Sequence, residues 1–384
     1  MASFLGYERP NGAAGIRNLV AVVSTMDNSN PVTRAVVHAV HGTIAIPGLF
    51  LRGQLGRDRE ITLRAMAGLC TNPNIAGVVV IGLEPVTTAE LVALIKPSGL
   101  PIAAVDVQLV GGTINAIAEG TRQAARIVRE VSKLKRREFP LSALVLGVEC
   151  GGSDTTSGLA SNPSIGAVSD KVIEAGATVI ISETSEFFGA EQLFAKRAVN
   201  AEVRDRFLGE VEGLERQIMD QGVDLRGSNP SRDNIRGGLT TIEEKALGAM
   251  AKAGKSPLAG VLSYGEAPRG KGLHFMAAPA PAVENLTGLA AGGCQLCLFS
   301  TGVGNPIGHP VMTVVKVSGN RNTIDTFSDN VDFDVTGVLE KGERIESAGG
   351  RLFDYALSVA SGELTTSEVL DVRENLISRF GFSM

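Results

Sequence analysis

Short β-rich apolar runs alternate with helical patterns along this chain, and that alternation constrains the fold more than any other feature. In the first third the runs are NLVAVVST (18–25), GTIAIPG (42–48), AGVVVIGLE (76–84) and IAAVDVQ (102–108), with helical segments near 31–40, 58–70 and 87–97 between them. Strands interleaved with helices signal a parallel or mostly parallel sheet. A longer pattern over 112–136 keeps apolar residues at three- and four-residue steps, as a helix with one buried face does. REFP (137–140) then reads as a boundary. A second α/β unit starts at LSALVLGVE (141–149) and continues through ATVIISET (177–184) and a charged helical stretch over 186–220. A polar loop is expected over 221–238, further strands at LAGVLSY, GLHFMAA and VMTVVKVSG, and an amphipathic helical tail over 340–384. The expected fold is α/β: two or more Rossmann-like, mostly parallel units packed around a central crevice. The N-terminal domain would span 1–138 and the C-terminal domain 139–384.

Composition removes several function classes. The 46 glycines fall at the ends of apolar runs, where strands turn into helices, and not in low-complexity tracts. A net charge of −5, no tryptophan and 4% aromatic residues argue against a nucleic-acid binder. The one dense basic run, KLKRR (133–137), closes a helical stretch, where cations suit the helix dipole. No apolar stretch reaches the roughly 20 residues of a membrane span, and MASFLGYERPNG lacks a signal-peptide layout, so the cytoplasm is expected. Four cysteines, Cys70, Cys150, Cys294 and Cys297, make no disulfide framework. There is no GxxxxGK[ST] loop, and no GxGxxG follows the first strand, so nucleotide binding has no support.

Four clusters carry chemistry. VECGGSDTTSG (148–158) places a thiol, two carboxylates and four hydroxyls at the end of an apolar run. The carboxyl edge of an open sheet is where ligands bind, and Asn162-Pro163 read as the cap and first position of a helix whose free N–H groups favour an anion. Cys150, Ser153, Asp154 and Thr155 would then meet a carboxylate-bearing ligand. In SETSE (182–186), Glu183 and Glu186 are candidate bases or ligands for the same crevice. GGLTTIEEK (237–245) places glycines before a helix start, with Glu243 and Glu244 suited to the dipole. FSTGVGNPIGHP (299–310) offers Thr301, Gly302 and Asn305 as an anion nest. Among the scarce histidines, His274 and His309 border these clusters.

These blocks resemble the altronate/galactarate dehydratase family. GYERPNGAAGIRN (6–18), NPNIAGVVVIGLEP (72–85), the central run from Glu149 to Glu186, GGLTTIEEKALGAMAKAG, GKGLHFM and FSTGVGNPIG match its signatures in order, over most of the chain. Within the family the chain looks closest to the large (beta) subunit of the sulfolactate sulfo-lyases. The resemblance implies a lyase: β-elimination from a small 2-hydroxy acid, with sulfite leaving. Alternatives are sugar-acid dehydration and a non-catalytic scaffold subunit. It further implies a divalent metal, iron by expectation, with Cys150, Asp154 and His274 as ligands; a separate small SAF-type subunit; and a homo-oligomer. Cys150, Asp154, Glu183 and Glu186 would be catalytic, and Ser153, Thr155, Arg52, Thr301, Gly302 and Asn305 would bind substrate. Arg52 and Arg57 would meet an added anionic group such as a sulfonate. Three positions depart from the dehydratase pattern: Asn28 stands where a cysteine is usual, Gly48 where a histidine is usual, and Ala277 where an acid is usual.

Overall fold

The computed structural model describes residues 2–224 and 229–381. After an antiparallel pair, β1 (Ser3–Glu8) and β2 (Ala14–Gly15), the chain builds a sheet from β3 (Leu19–Ser24), β4 (Thr43–Ile46), β5 (Ile75–Gly82) and β6 (Ile102–Asp106). Its order is β4-β3-β5-β6, parallel throughout. β5, rich in valine and isoleucine, is buried along its length, as a strand covered on both faces must be. Helices Asn30–Ala39 and Thr113–Val131 cover one face, and Gly56–Thr71 and Pro85–Ile95 the other.

The segment 137–140 is itself a strand, β7 (Arg137–Pro140), paired antiparallel with β1. The second sheet comprises β8 (Val145–Cys150), β9 (Thr178–Ile181), β10 (Leu258–Leu262), β11 (Gly272–Met276), β12 (Leu296–Ser300), β13 (Thr313–Ser318) and β14 (Phe333–Asp334). All its pairings are parallel, in the order β10-β11-β9-β8-β12-β13-β14. Because β9 and β12 flank β8, the loops after β8 and β12 part at a topological switch point. The expected α/β class with parallel units is what forms. No helix among the described residues is long and apolar enough to cross a membrane.

One apolar cluster runs through both units, joining Val23, Ile61 and Met66 to Leu286, Leu289 and Phe299. The helices Gly56–Thr71 and Ala282–Ala291 touch backbone to backbone. A Cβ on Gly68 would stand 2.3 Å from the Ala291 carbonyl oxygen, so only glycine fits. The Asn72 amide donates to the carbonyls of Ala290 and Cys294, and that of Asn74 to Gln295 and Val311. Buried Arg9 donates to the Pro73 and Arg17 carbonyls, while Arg17 holds Glu368 through two nitrogens. Two of the blocks behind the resemblance, 6–18 and 72–85, thus fasten the units together.

The tail departs from expectation. It is helical over Ile345–Ala360 and Thr366–Val369, but residues 370–381 carry no helix. There, side chains of other elements satisfy the backbone: the Leu376 N–H donates to the Thr287 hydroxyl, and those of Phe380 and Gly381 to the Asp58 carboxylate. In the expected polar loop, 225–228 lie outside the described residues, and a short helix, Arg232–Arg236, falls in the remainder.

Candidate active site

Asp154 follows β8 and caps the next helix. Its Oδ1 accepts the Ser157 N–H at 3.0 Å and the Thr156 hydroxyl at 2.7 Å, and its Oδ2 accepts the Asn320 amide at 2.7 Å. The helix therefore begins at Thr155 and passes through a π turn, Ser157–Ser161, into Asn162–Glu174. This corrects the expected start. Asn162 lies within continuous helical backbone, so no free N–H array meets an anion there; Asp154 supplies the cap earlier in the chain.

The facing loop after β12 is closed in the same way. The N–H groups of Gly302 and Val303 both donate to the Gly152 carbonyl at 3.0 Å, and that of Gly304 to the Thr301 hydroxyl at 3.1 Å. Asn305 accepts the Ile307 N–H. A Cβ on Gly302 would stand 2.2 Å from the Asp154 carboxylate, which is why the loop can close so tightly. The Ser153 carbonyl accepts from Asn234, and Thr155 bonds the Gly237 carbonyl through its N–H and its hydroxyl. Ser153, Asp154, Thr155, Thr301, Gly302 and Asn305 do come together at the switch point. They form a knot of mutually satisfied groups, in place of the open anion nest expected.

One strand away the chemistry differs. Glu149 and Cys150 end β8, and Glu183 stands just past β9. Cys150 donates its N–H to Glu183 Oε2 at 3.1 Å and its thiol to Oε1 at 3.4 Å. Lys252, on the turn Ala251–Ala253, forms an ion pair with Glu183, and each residue is 1% exposed. Glu183 is held at φ 70° and ψ 65°, left-handed backbone that costs a non-glycine residue about 1–3 kcal/mol. Glu149 is fully buried, with neither oxygen hydrogen-bonded to a protein group. Glu186 gives one oxygen to Lys245 at 2.8 Å and leaves the other unbonded.

Burial pushes the Glu149 carboxyl well up, with the charge of Glu183 adding and Lys252 opposing. Burial likewise raises Glu183, against Lys252 and with Glu186. Burial, then Glu183, drives the Cys150 thiol up to about 12, so it stands as a neutral donor and not a ready nucleophile. For Lys252, burial favours the neutral amine, but Cys150 and Glu183 outweigh it and raise the ammonium. The result is one enclosed cation among acids.

A cavity of about 760 Å³ opens between the units, walled by Thr184 and Ser185 directly after Glu183, by Tyr264, by Ala277 and by Arg57. Burial raises the Tyr264 hydroxyl, with hydrogen bonding to Ser378 opposing and the charge of Glu284 adding. A smaller cavity of about 350 Å³ lies beside Ser153–Thr155, with Lys245 on its wall.

The expected metal set does not converge. His274 pairs with Ile180 of β9, which pairs with Gly147 of β8, so it lies two strands away and below Cys150. Its ring covers Gly260, and burial lowers its basicity. Asp154 is bonded to Thr156, Ser157 and Asn320, and Cys150 to Glu183. Among the described residues no three His, Cys, Asp or Glu side chains are grouped to hold a metal ion, and Lys252 already places a cation amid the acids. Cys150, Asp154 and His274 therefore do not fit a shared divalent ion.

Other positions sort plainly. Arg52 is exposed on the turn Leu51–Gly53 beside Glu84, while Arg57 and Arg64 line the larger cavity. His309 accepts the Val311 and Met312 N–H groups on Nδ1, and burial lowers it to about 3, making it a neutral turn lock. Glu243 packs on Gly189, and Glu244 accepts from Thr240. Gly48 is bonded through its backbone to the Asn30 side chain, and a Cβ there would stand 2.1 Å from the Ser24 carbonyl oxygen. Sequence reasoning passed over Glu149, Lys252 and Lys245 as functional residues. The available signal was a lone charge within an apolar run: Glu149 in LVLGVEC and Lys252 in GAMAKAG.

Comparison with known proteins places the chain. Residues 6–132 match the family described as D-galactarate dehydratase/Altronate hydrolase, second domain, and residues 141–383 match D-galactarate/Altronate dehydratase, C-terminal. The (2R)-sulfolactate sulfo-lyase subunit beta of Chromohalobacter salexigens is 41% identical over 98% of this chain and 97% of its own. Altronate dehydratase of Bacillus subtilis is 32% identical over 100% of this chain and 78% of its own. Galactarate dehydratase (L-threo-forming) of Escherichia coli is 31% identical over 95% and 74%. With both of its units matched and relatives above 30% identity along nearly its whole length, this chain belongs to the D-galactarate/altronate dehydratase family of lyases.

Proposed function

We propose that this chain is the large subunit of a lyase that eliminates a β substituent from a small 2-hydroxy acid, releasing sulfite from a sulfolactate-like substrate. The observation that carries this reading is the strained, buried Glu183, held between Lys252 and Cys150 and directly preceding Thr184 and Ser185 of the inter-unit cavity wall. The C2–H of a 2-hydroxy acid is weakly acidic, and a carboxylate whose pKa is raised by burial is a stronger base than an exposed one. Glu183 is the base. Lys252 keeps it ionised until it takes the proton. The electron pair of the broken C2–H bond forms the C2=C3 bond, and the C3–S pair leaves with sulfite. The resulting enol takes a proton at C3 and becomes a 2-oxo acid.

The name of the Chromohalobacter relative, a subunit beta, supports a second chain. A scaffold role assigns no use to the strained Glu183 or to the unbonded Glu149 carboxyl.

The test is turnover of the purified chain, alone and with its small partner chain, following sulfite and 2-oxo acid together and measuring bound metal on the same preparation. Equal yields of the two products, lost in Glu183→Gln, support the reading. A 2-oxo acid formed from sugar acids without sulfite would replace it with dehydration. No turnover from the complex would leave the scaffold.

A further inference from the structure

We propose that the larger cavity selects a short acid bearing a second anionic group and rejects polyhydroxylated acids, with Arg57 and Arg64 as the specificity-determining residues. The inference rests on reading that cavity as the substrate site. Arg57 and Arg64 lie seven residues apart on the helix Gly56–Thr71, about two turns, and so project from one face. The Arg57 guanidinium lies over the Phe380 ring, 4.5 Å from its centroid, a cation–π contact that holds the group at the cavity wall. Arg64 uses its Nε on the Tyr264 carbonyl at 2.8 Å, and its terminal nitrogens remain. Neither arginine takes part in an ion pair among the described residues. A planar guanidinium held in this way suits bidentate bonding to a carboxylate or sulfonate.

Another part of the wall argues against a sugar acid. Its run Ala277-Ala278-Pro279-Ala280-Pro281 offers no polar side chain, and the N–H and carbonyl of Ala278 are both bonded to Thr184. Hydroxyls of a sugar chain lying against this run would find no side-chain partner in it, at about 1–3 kcal/mol each, while Ser185, Gln217 and Ser263 line other parts of the cavity. A methylene and a compact anion meet no such penalty. Glu60 and Glu210 also line the cavity, and Glu284 is engaged by the Ser378 hydroxyl. These carboxylates offset part of the positive charge and provide a test of sign.

The experiment measures kcat/KM for 3-sulfolactate and altronate, and calorimetric binding of 3-sulfopropanoate and propanoate, on the complex with its small subunit. Arg57→Gln should weaken 3-sulfopropanoate binding about 10- to 100-fold, the range of a charge-assisted hydrogen bond. The kinetic loss should fall in KM, Arg57→Lys should recover part of it, and Glu60→Gln should tighten sulfonate binding. Propanoate should bind Arg57→Gln as it binds the parent. Equal 3-sulfopropanoate affinity in the parent and in an Arg57→Gln/Arg64→Gln double variant would overturn the proposal, as would altronate turnover matching that of sulfolactate. Failure of the parent to turn over any acid would sink the proposed reaction, while the binding arm would still decide the role of the arginines.

Discussion

Asp154 and Glu183 are both buried carboxylates at the carboxyl edge of the seven-stranded sheet, yet one corner is complete and the other is not. Both oxygens of Asp154 are bonded in an ordinary helix cap, and the loops around it close on one another. Glu183 sits in left-handed backbone, shares a buried cation and thiol, and neighbours a carboxyl that no protein group satisfies. Polar residues crowd both corners, so crowding does not mark the reacting one. Strain and incomplete satisfaction do, because a fold keeps them against its own stability.

The contrast can be broken first at Glu183. Glu183→Gln should reduce turnover by about 10²- to 10⁴-fold, the usual worth of a general base. In the parent, the acid limb of the kcat profile should lie above the ordinary glutamate value of about 4.3, since burial raises this carboxyl. A limb at the ordinary value would remove Glu183 as the base. Lys252→Met should lower unfolding free energy by about 3–5 kcal/mol by stranding a buried carboxylate, and denaturant titration checks it. Adding Glu183→Leu should restore most of that stability without restoring turnover.

A smaller effect concerns Glu149. Its carboxyl is raised in the fold, so the folded state binds more protons than the unfolded chain. That stabilisation is complete below about pH 4.3 and is lost as pH rises toward the folded value. Glu149→Gln should therefore stabilise the protein near pH 7, by about 1.4 kcal/mol per unit of raise, and flatten stability against pH. Thermal melts across pH would show an unchanged slope if the idea is wrong. Asp154→Asn should cost about 1 kcal/mol as a weakened cap and retain turnover. Lost turnover at unchanged stability would reverse the assignment of the two corners.

Much of this was legible in sequence. Periodicity located β3, β5 and β6 and their helices to within a few residues, because each is long and apolar on a regular step. Residues 370–381 misled, since Val372, Leu376 and Phe380 recur at four-residue steps as a helix face would, while Asp58 and Thr287 satisfy the backbone instead. The Cys150–Glu183 pairing was within reach, as both follow strand ends. Lys252 was not, because a lysine near a helix end ordinarily answers the dipole, and only the packing of 251–253 beneath β8 and β9 turns it inward. Arg52 and Arg57 looked equivalent, but the helix starting at Gly56 carries only the second into the cavity.

The Glu183–Lys252 pair also bears on how such a protein changes over generations. Losing either partner alone leaves a buried charge exposed to no counter-ion, a change that selection on abundance would remove. Losing both together relieves the charge problem. A lineage that abandoned the reaction would therefore have to cross a two-step valley to erase the pair. A copy that had lost its activity long before could still carry both residues, kept by mutual dependence and no longer by use.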